Sequence, residues 1–311
     1  MIQKSFLFAL VLFGGYSLFV QFLAPSDWHA SQHQSQENTI KAEHYLYVDE
    51  HSADRIIVGS SQALRLVMDG LPGYDNLSFG GQSIYDGLNI LTHQTRLPKT
   101  VYIETNVVLR EESFEFTESL HSPVMYFPRK WLLSLRADRQ PLGILGSRLS
   151  QPLNILGLRL NRNVAKAIKW LTHKSKSAPA IATNESGGDI FSRSMQVQTE
   201  SYSRKPSAKL LEARFHSLEA YVKMLRSRGV SIVFFEMPVN GGLIHLPAAE
   251  AVREAFRQHF PETAYHYIPP PAEDDYHTTD GIHLGPEEAI RYTLYFRSMT
   301  DSLTPQHPSK F

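Results

Sequence analysis

From residue 54 onward the chain alternates short apolar runs with longer amphipathic stretches. "RIIVGSS" is a β-branched run ending in small residues, and "QALRLVMDGL" after it has helical spacing. "YDNLSFGG" reads as a second strand and turn. "SIYDGLNILTHQTRL" reads as a helix with apolar positions at Ile84, Leu88 and Leu91, and "TVYIETN" as a third strand. The alternation resumes at "SAKLLEARFHSLEAYVKMLRSRG", a helix that Gly229 terminates. "VSIVFFEMPV" is apolar almost throughout, as a parallel strand covered on both faces should be. A helix "AAEAVREAFRQHF", a last strand "AYHYIP" and a final helix "GPEEAIRYTLYFRSM" complete the series. Strands alternating with helices predict a doubly wound α/β domain.

Two stretches stand outside this pattern. Residues 1–25 hold an uncharged run from Ser5 to Ala24 behind Lys4. A bilayer core takes roughly 20 helical residues, whereas a signal-peptide core is about 7–15 and ends in a small-x-small site. Phe22 spoils the pairing with Ala24, so the expectation is an uncleaved membrane anchor with the rest of the chain on the extracytoplasmic, periplasmic side. A cleaved signal peptide is the alternative. Residues 26–50 are polar and rich in His, Gln and Ser, and read as a linker to a domain over 51–311.

The second exception is an insertion after the third strand, at about 107–205, too long for a simple connection. In its middle, "RKWLLSLRADRQPLGILGSRLSQPLNILGLRLNRNVAKAIKWLTHKSK", Lys and Arg outnumber acids by about ten to one among Leu, Ile and Trp. That composition suits a membrane-surface or partner-docking helix, and equally a helical cap with solvated charges. "SKSAPAIATNESGGD" reads as a loop.

Composition narrows the chemistry. With 42% apolar and 20% charged residues the chain is globular, and zero net charge gives no reason to expect nucleic acid. The absence of cysteine removes disulfides, thiolate metal sites and a cysteine nucleophile.

Ligands of a doubly wound sheet bind beyond the carboxyl ends of its strands. There the first strand delivers Gly59-Ser60-Ser61, the second Asn76 to Gly81, and the third Glu104-Thr105-Asn106. The last strand leads into "EDDYHTTDGIHL". Hydroxyl, glycine amide, Asn amide, Asp and His are the inventory of acyl transfer. Each has a plainer use. Ser61 could cap a helix, Gly81 could serve a turn, Asn106 could end a strand, and Asp280 and His283 could brace a loop. His277, Asp280 and His283 could also hold a metal, although zinc sites usually draw a ligand from elsewhere. "GSSQ" lacks the Lys and glycines of a phosphate loop.

"VGSSQ", "NLSFGGQS", "IETN" and "DGIHL" resemble, in order, the four blocks of the SGNH (GDSL-type) hydrolase superfamily. The resemblance covers roughly residues 54–106 and 207–302. It implies a flavodoxin-like doubly wound parallel sheet with a helical insertion after the third strand. Matching Gly-Asp-Ser places the nucleophile at Ser61. The second block places an oxyanion-hole glycine at Gly81. The third, Gly-x-Asn-Asp, places a second oxyanion donor at Asn106, and Asp-x-x-His supplies Asp280 and His283. Ser60 stands where the family has Asp, a variant associated with membrane-anchored members that modify cell-surface polymers. Glu104 and Val107 replace the residues flanking the third-block Asn.

By that resemblance the chain is expected to move an acyl group, acetyl in the family's pattern, to or from a cell-envelope glycan, without metal or cofactor. Its partners are then an acyl donor, the glycan, the membrane and a multi-span acyltransferase. A plain carboxylesterase, or a non-catalytic scaffold retaining the fold, are the competing expectations.

Overall fold

The computed structural model describes residues 2–23, 33–47, 53–141, 187–272 and 275–303. It divides into two compact units, Met1–Tyr47 with Leu120–Asn184, and Val48–Ser119 with Glu185–Phe311.

The larger unit is built on a five-stranded, all-parallel sheet: β1 (Arg55–Val58), β2 (Tyr74–Asn76), β3 (Thr100–Glu104), β4 (Ser231–Phe235) and β5 (His266–Tyr267). The order is β2-β1-β3-β4-β5, that of flavodoxin-like doubly wound sheets. Strand alternation sends neighbouring side chains to opposite faces. Ile57, Tyr102, Val233 and Phe235 enter one core with Tyr292 and Phe296 of the C-terminal helix Pro286–Leu303. Phe234 turns the other way and packs at 5.3 Å and 4.9 Å from Phe256 and Phe260, in and just after helix Pro247–His259. Because both faces are covered, β1, β3 and β4 are apolar between their end residues.

Helix Ala208–Ser227 begins at Ser207, whose hydroxyl accepts the Leu210 N–H, and ends at Gly229 with φ 84°. That left-handed conformation suits glycine. Helix Ile84–Thr92 opens with a capping box between Ser83 and Asp86, and Gly87 lets it approach β1. A Cβ there would lie 2.8 Å from Val58 Cγ1.

"QALRLVMDGL" forms two 3₁₀ turns, Ala63–Arg65 and Met68–Gly70, rather than the expected helix. Leu66 and Val67 are extended between them, and the Val67 N–H is taken by Thr293 Oγ1 at 3.0 Å. A tertiary hydrogen bond here replaces the helical one.

In chain order the first five helices are α1 (Ile2–Phe22), α2 (Gln34–Tyr47), α3 (Ile84–Thr92), α4 (Phe114–His121) and α5 (Pro123–Trp131). The smaller unit holds α1 and α2, together with residues that follow Leu120, among them α5 and the 3₁₀ turns Leu133–Leu135 and Ala137–Arg139. Residues 34–47 are therefore ordered helix, in contrast to the linker expected over 26–50. The reason is burial: Ala42, Glu43, Tyr45 and Leu46 are enclosed, and Glu43 Oε2 accepts the Ala137 N–H at 2.6 Å. The expected 51–311 domain accordingly loses part of its insertion, since Leu120–Asn184 group with the N-terminal unit. Residues 142–176 of the basic stretch lie outside the described residues.

Candidate active site

Ser61 follows β1 in a turn whose backbone amides are nearly all committed. Ser60 N–H and Ala63 N–H donate to Glu104 Oε2 at 2.7 and 3.2 Å. Gln62 N–H donates to Ser60 Oγ at 3.1 Å, and Leu64 N–H to the Ser60 carbonyl at 2.9 Å. Ser60 Oγ itself donates to Glu104 Oε1 at 2.9 Å. Only the Ser61 N–H lacks an acceptor among the described residues. The turn is tight enough to require Gly59, where a Cβ would fall 2.5 Å from Glu104 Oε2.

Glu104 is fully buried at the end of β3 with no ion-pair partner among the described residues. Burial pushes its carboxyl above the ordinary range, and the hydrogen bonds from Ser60 and Ala63 offset part of that rise.

Asp280 and His283 come from a turn closed by an antiparallel bridge between Thr278 and Leu284. Asp280 Oδ1 accepts the N–H groups of Ile282 and His283 at 3.1 and 2.8 Å. Gly281 supplies the left-handed residue, φ 98°, with which the turn closes. Asp280 Oδ2 is left to face His283 Nδ1 at 2.7 Å, and His283 Nε2 meets Ser61 Oγ at 2.8 Å. With Nδ1–H donating to the carboxylate, Nε2 is the acceptor for the Ser61 hydroxyl. Burial pushes the Asp280 carboxyl upward, but hydrogen bonds from the His283 side chain and the two amides outweigh it and hold the group below the usual range.

Ser61 opens on a cleft of about 450 Å³ lined also by Asn106, Arg110, Gln198, Tyr202 and Ile282. Asn106 lines this cleft while its side chain joins two strand ends: Nδ2 donates to the Met237 carbonyl at 2.9 Å, and Oδ1 accepts the Met237 N–H at 2.7 Å. One Nδ2 hydrogen remains for a ligand. Gly81 has φ 74° and an exposed backbone before the capping box, and its N–H has no acceptor among the described residues. It does not line the cleft.

The structure thus brings Ser61, Asp280 and His283 together and sets Asn106 on the same cleft. His277, by contrast, is 87% exposed and lies 3.8 Å from Glu288 rather than beside Asp280 and His283. Glu273 and Asp274 lie outside the described residues.

Two contributors were not read from the sequence. Glu104 looked only like a departure at a glycine position. The helix Gly187–Ser203, inside the expected insertion, forms a cleft wall through Gln198, Ser201 and Tyr202. Its signal is a half-buried stripe at Phe191, Met195, Gln198 and Tyr202, spaced i, i+4, i+7 and i+11. Burial, then the nearby Glu104 and Glu236 carboxylates, push the Tyr202 hydroxyl up to about 12, so it faces the cleft as a neutral group.

A scan against models of known protein families gives no match for this chain. A search of curated proteins gives none either.

Proposed function

We propose that this chain is a serine-dependent acyl-transfer enzyme, with Ser61 as nucleophile, His283 as general base and Asp280 as the group that orients the imidazole. The observation that carries this reading is the continuous relay from Asp280 Oδ2 through both nitrogens of His283 to Ser61 Oγ, with spacings of 2.7 and 2.8 Å.

In this mechanism Ser61 Oγ attacks the acyl carbonyl while His283 Nε2 takes its proton. The oxyanion is met by the uncommitted Ser61 N–H and the remaining Asn106 amide hydrogen, while Gly81, the third donor that the resemblance implies, does not line the cleft. The donor's alkoxide leaves with the proton from His283. An acceptor hydroxyl then gives its proton to the same nitrogen, attacks the acyl-serine and restores the Ser61 hydroxyl.

An acetyl group and a cell-envelope glycan are the substrates favoured by the resemblance of the four blocks. The apolar helix α1 behind Lys4 supports an anchored protein with its chemistry outside the cytoplasm. An exported acyl group would then reach Ser61 from a multi-span acyltransferase.

Turnover of p-nitrophenyl acetate by the wild type, lost in Ser61→Ala and in His283→Ala, is the expected result. Equal turnover by wild type and Ser61→Ala would leave a scaffold with an enzyme's fold. With a glycan acceptor present, acetyl found on the glycan rather than as free acetate separates transfer from hydrolysis.

A further inference from the structure

Helix α5 turns an apolar strip outward. Val124, Phe127 and Trp131 are 78%, 64% and 73% exposed, at the i, i+3 and i+7 positions of one helical face, and exposed Leu132 extends the strip. Water-facing helices seldom carry such a row without something to cover it.

What covers it follows from α1, which belongs to the same unit. Ile2 to Phe13 of α1 are exposed, and its enclosed face is formed by Gly14, Tyr16, Ser17 and Val20. Ser17 Oγ meets Ser134 Oγ at 2.8 Å, and the Tyr16 hydroxyl donates to the Arg139 carbonyl. Both partners lie in the stretch that directly follows Trp131. At about 1.5 Å rise per residue, Tyr16 and Ser17 lie about 7–9 Å inside the Phe22 end of α1. Interfacial helices bury their apolar faces to about 5–10 Å, at the boundary of headgroups and acyl chains. A spanning α1 therefore holds the residues after α5 at that depth.

The charges agree with this placement. Lys130 is exposed beside Trp131, whereas the acid of the stretch, Asp138, is buried against Arg139 and His44 at 3.3 and 3.4 Å. Trp next to a cation is the composition of the headgroup level. Arg136 donates to the carbonyls of Arg129 and Lys130, closing the end of α5 and fixing the direction of its face.

We propose that α5 is an interfacial helix that lays Val124, Phe127 and Trp131 into a lipid bilayer beside α1, so that two elements hold this unit to the membrane. The proposal rests on reading α1 as a spanning helix and is independent of the chemistry at Ser61.

The test uses the full chain reconstituted in phosphatidylcholine–phosphatidylglycerol vesicles, with Trp28 and Trp170 replaced by Phe so that Trp131 is the one emitter. Flotation reports α1, and brominated acyl chains report α5. The expected result is co-flotation with Trp131 emission quenched several-fold by lipids brominated near the headgroup, and much less by lipids brominated at the chain end. Co-flotation with Trp131 quenched by aqueous acrylamide and untouched by bromolipid overturns the proposal, as does Trp131 shielded from both by a protein surface. Failure to float overturns the spanning reading of α1, and this proposal with it. Ester turnover by the same preparation reports separately on Ser61.

Discussion

Glu104 Oε2 accepts the Ser60 N–H at 2.7 Å, and the same oxygen accepts the Ala63 N–H at 3.2 Å, so one carboxylate grips the turn on both sides of Ser61. Its other oxygen takes the Ser60 hydroxyl. The Ser61 N–H is left over by this arrangement, and that is the donor an oxyanion needs. In the proposed mechanism Glu104 is accordingly a positioning residue, acting on substrate only through the turn it holds.

Glu104→Ala is expected to orphan two buried N–H groups at about 1–3 kcal/mol each. The thermal midpoint should fall, and kcat should fall with KM nearly unchanged when assayed well below that midpoint. Glu104→Gln keeps an acceptor oxygen in place and should retain most of both. Wild-type kcat in folded Glu104→Ala would remove the positioning role.

Ser60 and Glu104 also explain each other. The resembled blocks have Asp where Ser60 stands and Gly where Glu104 stands, and here the carboxylate comes from the end of β3 instead. Ser60→Asp should therefore set two carboxylates against each other in a buried site and depress both stability and turnover. Adding Glu104→Gly should recover part of each loss. Additive losses in this double-mutant cycle would show the two positions to be uncoupled.

Asp280 gives a pH signature. Its carboxyl is held below the usual range, so the native state binds that proton more weakly than the unfolded chain does. The stability it contributes is therefore full above the unfolded value and lost as pH falls through the folded one. Urea titrations of wild type and Asp280→Asn should show a constant gap near neutrality that closes below about pH 4. A gap that stays constant into stronger acid would contradict the hydrogen bonding described for this carboxylate. At neutral pH the same variant should lose kcat by on the order of 10³–10⁴, through the wrong imidazole tautomer.

Gly281 joins the two catalytic candidates of one turn. With φ 98°, and Met195 Sδ only 2.7 Å from a Cβ built there, Gly281→Ala is expected to cost about 1–2 kcal/mol from backbone strain alone. Turnover should fall by more than stability accounts for, because Asp280 and His283 ride on the distorted turn. Unchanged turnover would mean that the relay tolerates this displacement.

Much of this was legible in the sequence where local rules govern. The apolar runs at β1, β3 and β4 announced a two-faced parallel sheet, and Asp280-Gly281-Ile282-His283 contains its own turn chemistry, an Asp acceptor and a left-handed glycine. The remainder depends on contacts distant in sequence. Thr293 decides that "QALRLVMDGL" forms 3₁₀ turns. Ala137 and its neighbours decide that residues 34–47 are helix rather than tether. Glu104 could not be read as the partner of Ser60, since nothing in a sequence reports that two strand ends meet at hydrogen-bond distance. Helix Gly187–Ser203 was hidden because its half-buried stripe mixes Phe and Met with Gln and Tyr.

The central claim is that His283 activates Ser61, and covalent trapping tests it most directly. A fluorophosphonate ester offered to the full chain should phosphonylate Ser61, located by peptide mass spectrometry, with labelling slowed by at least about a hundredfold in His283→Ala. No adduct at Ser61, or labelling at equal rates in both proteins, would contradict the account.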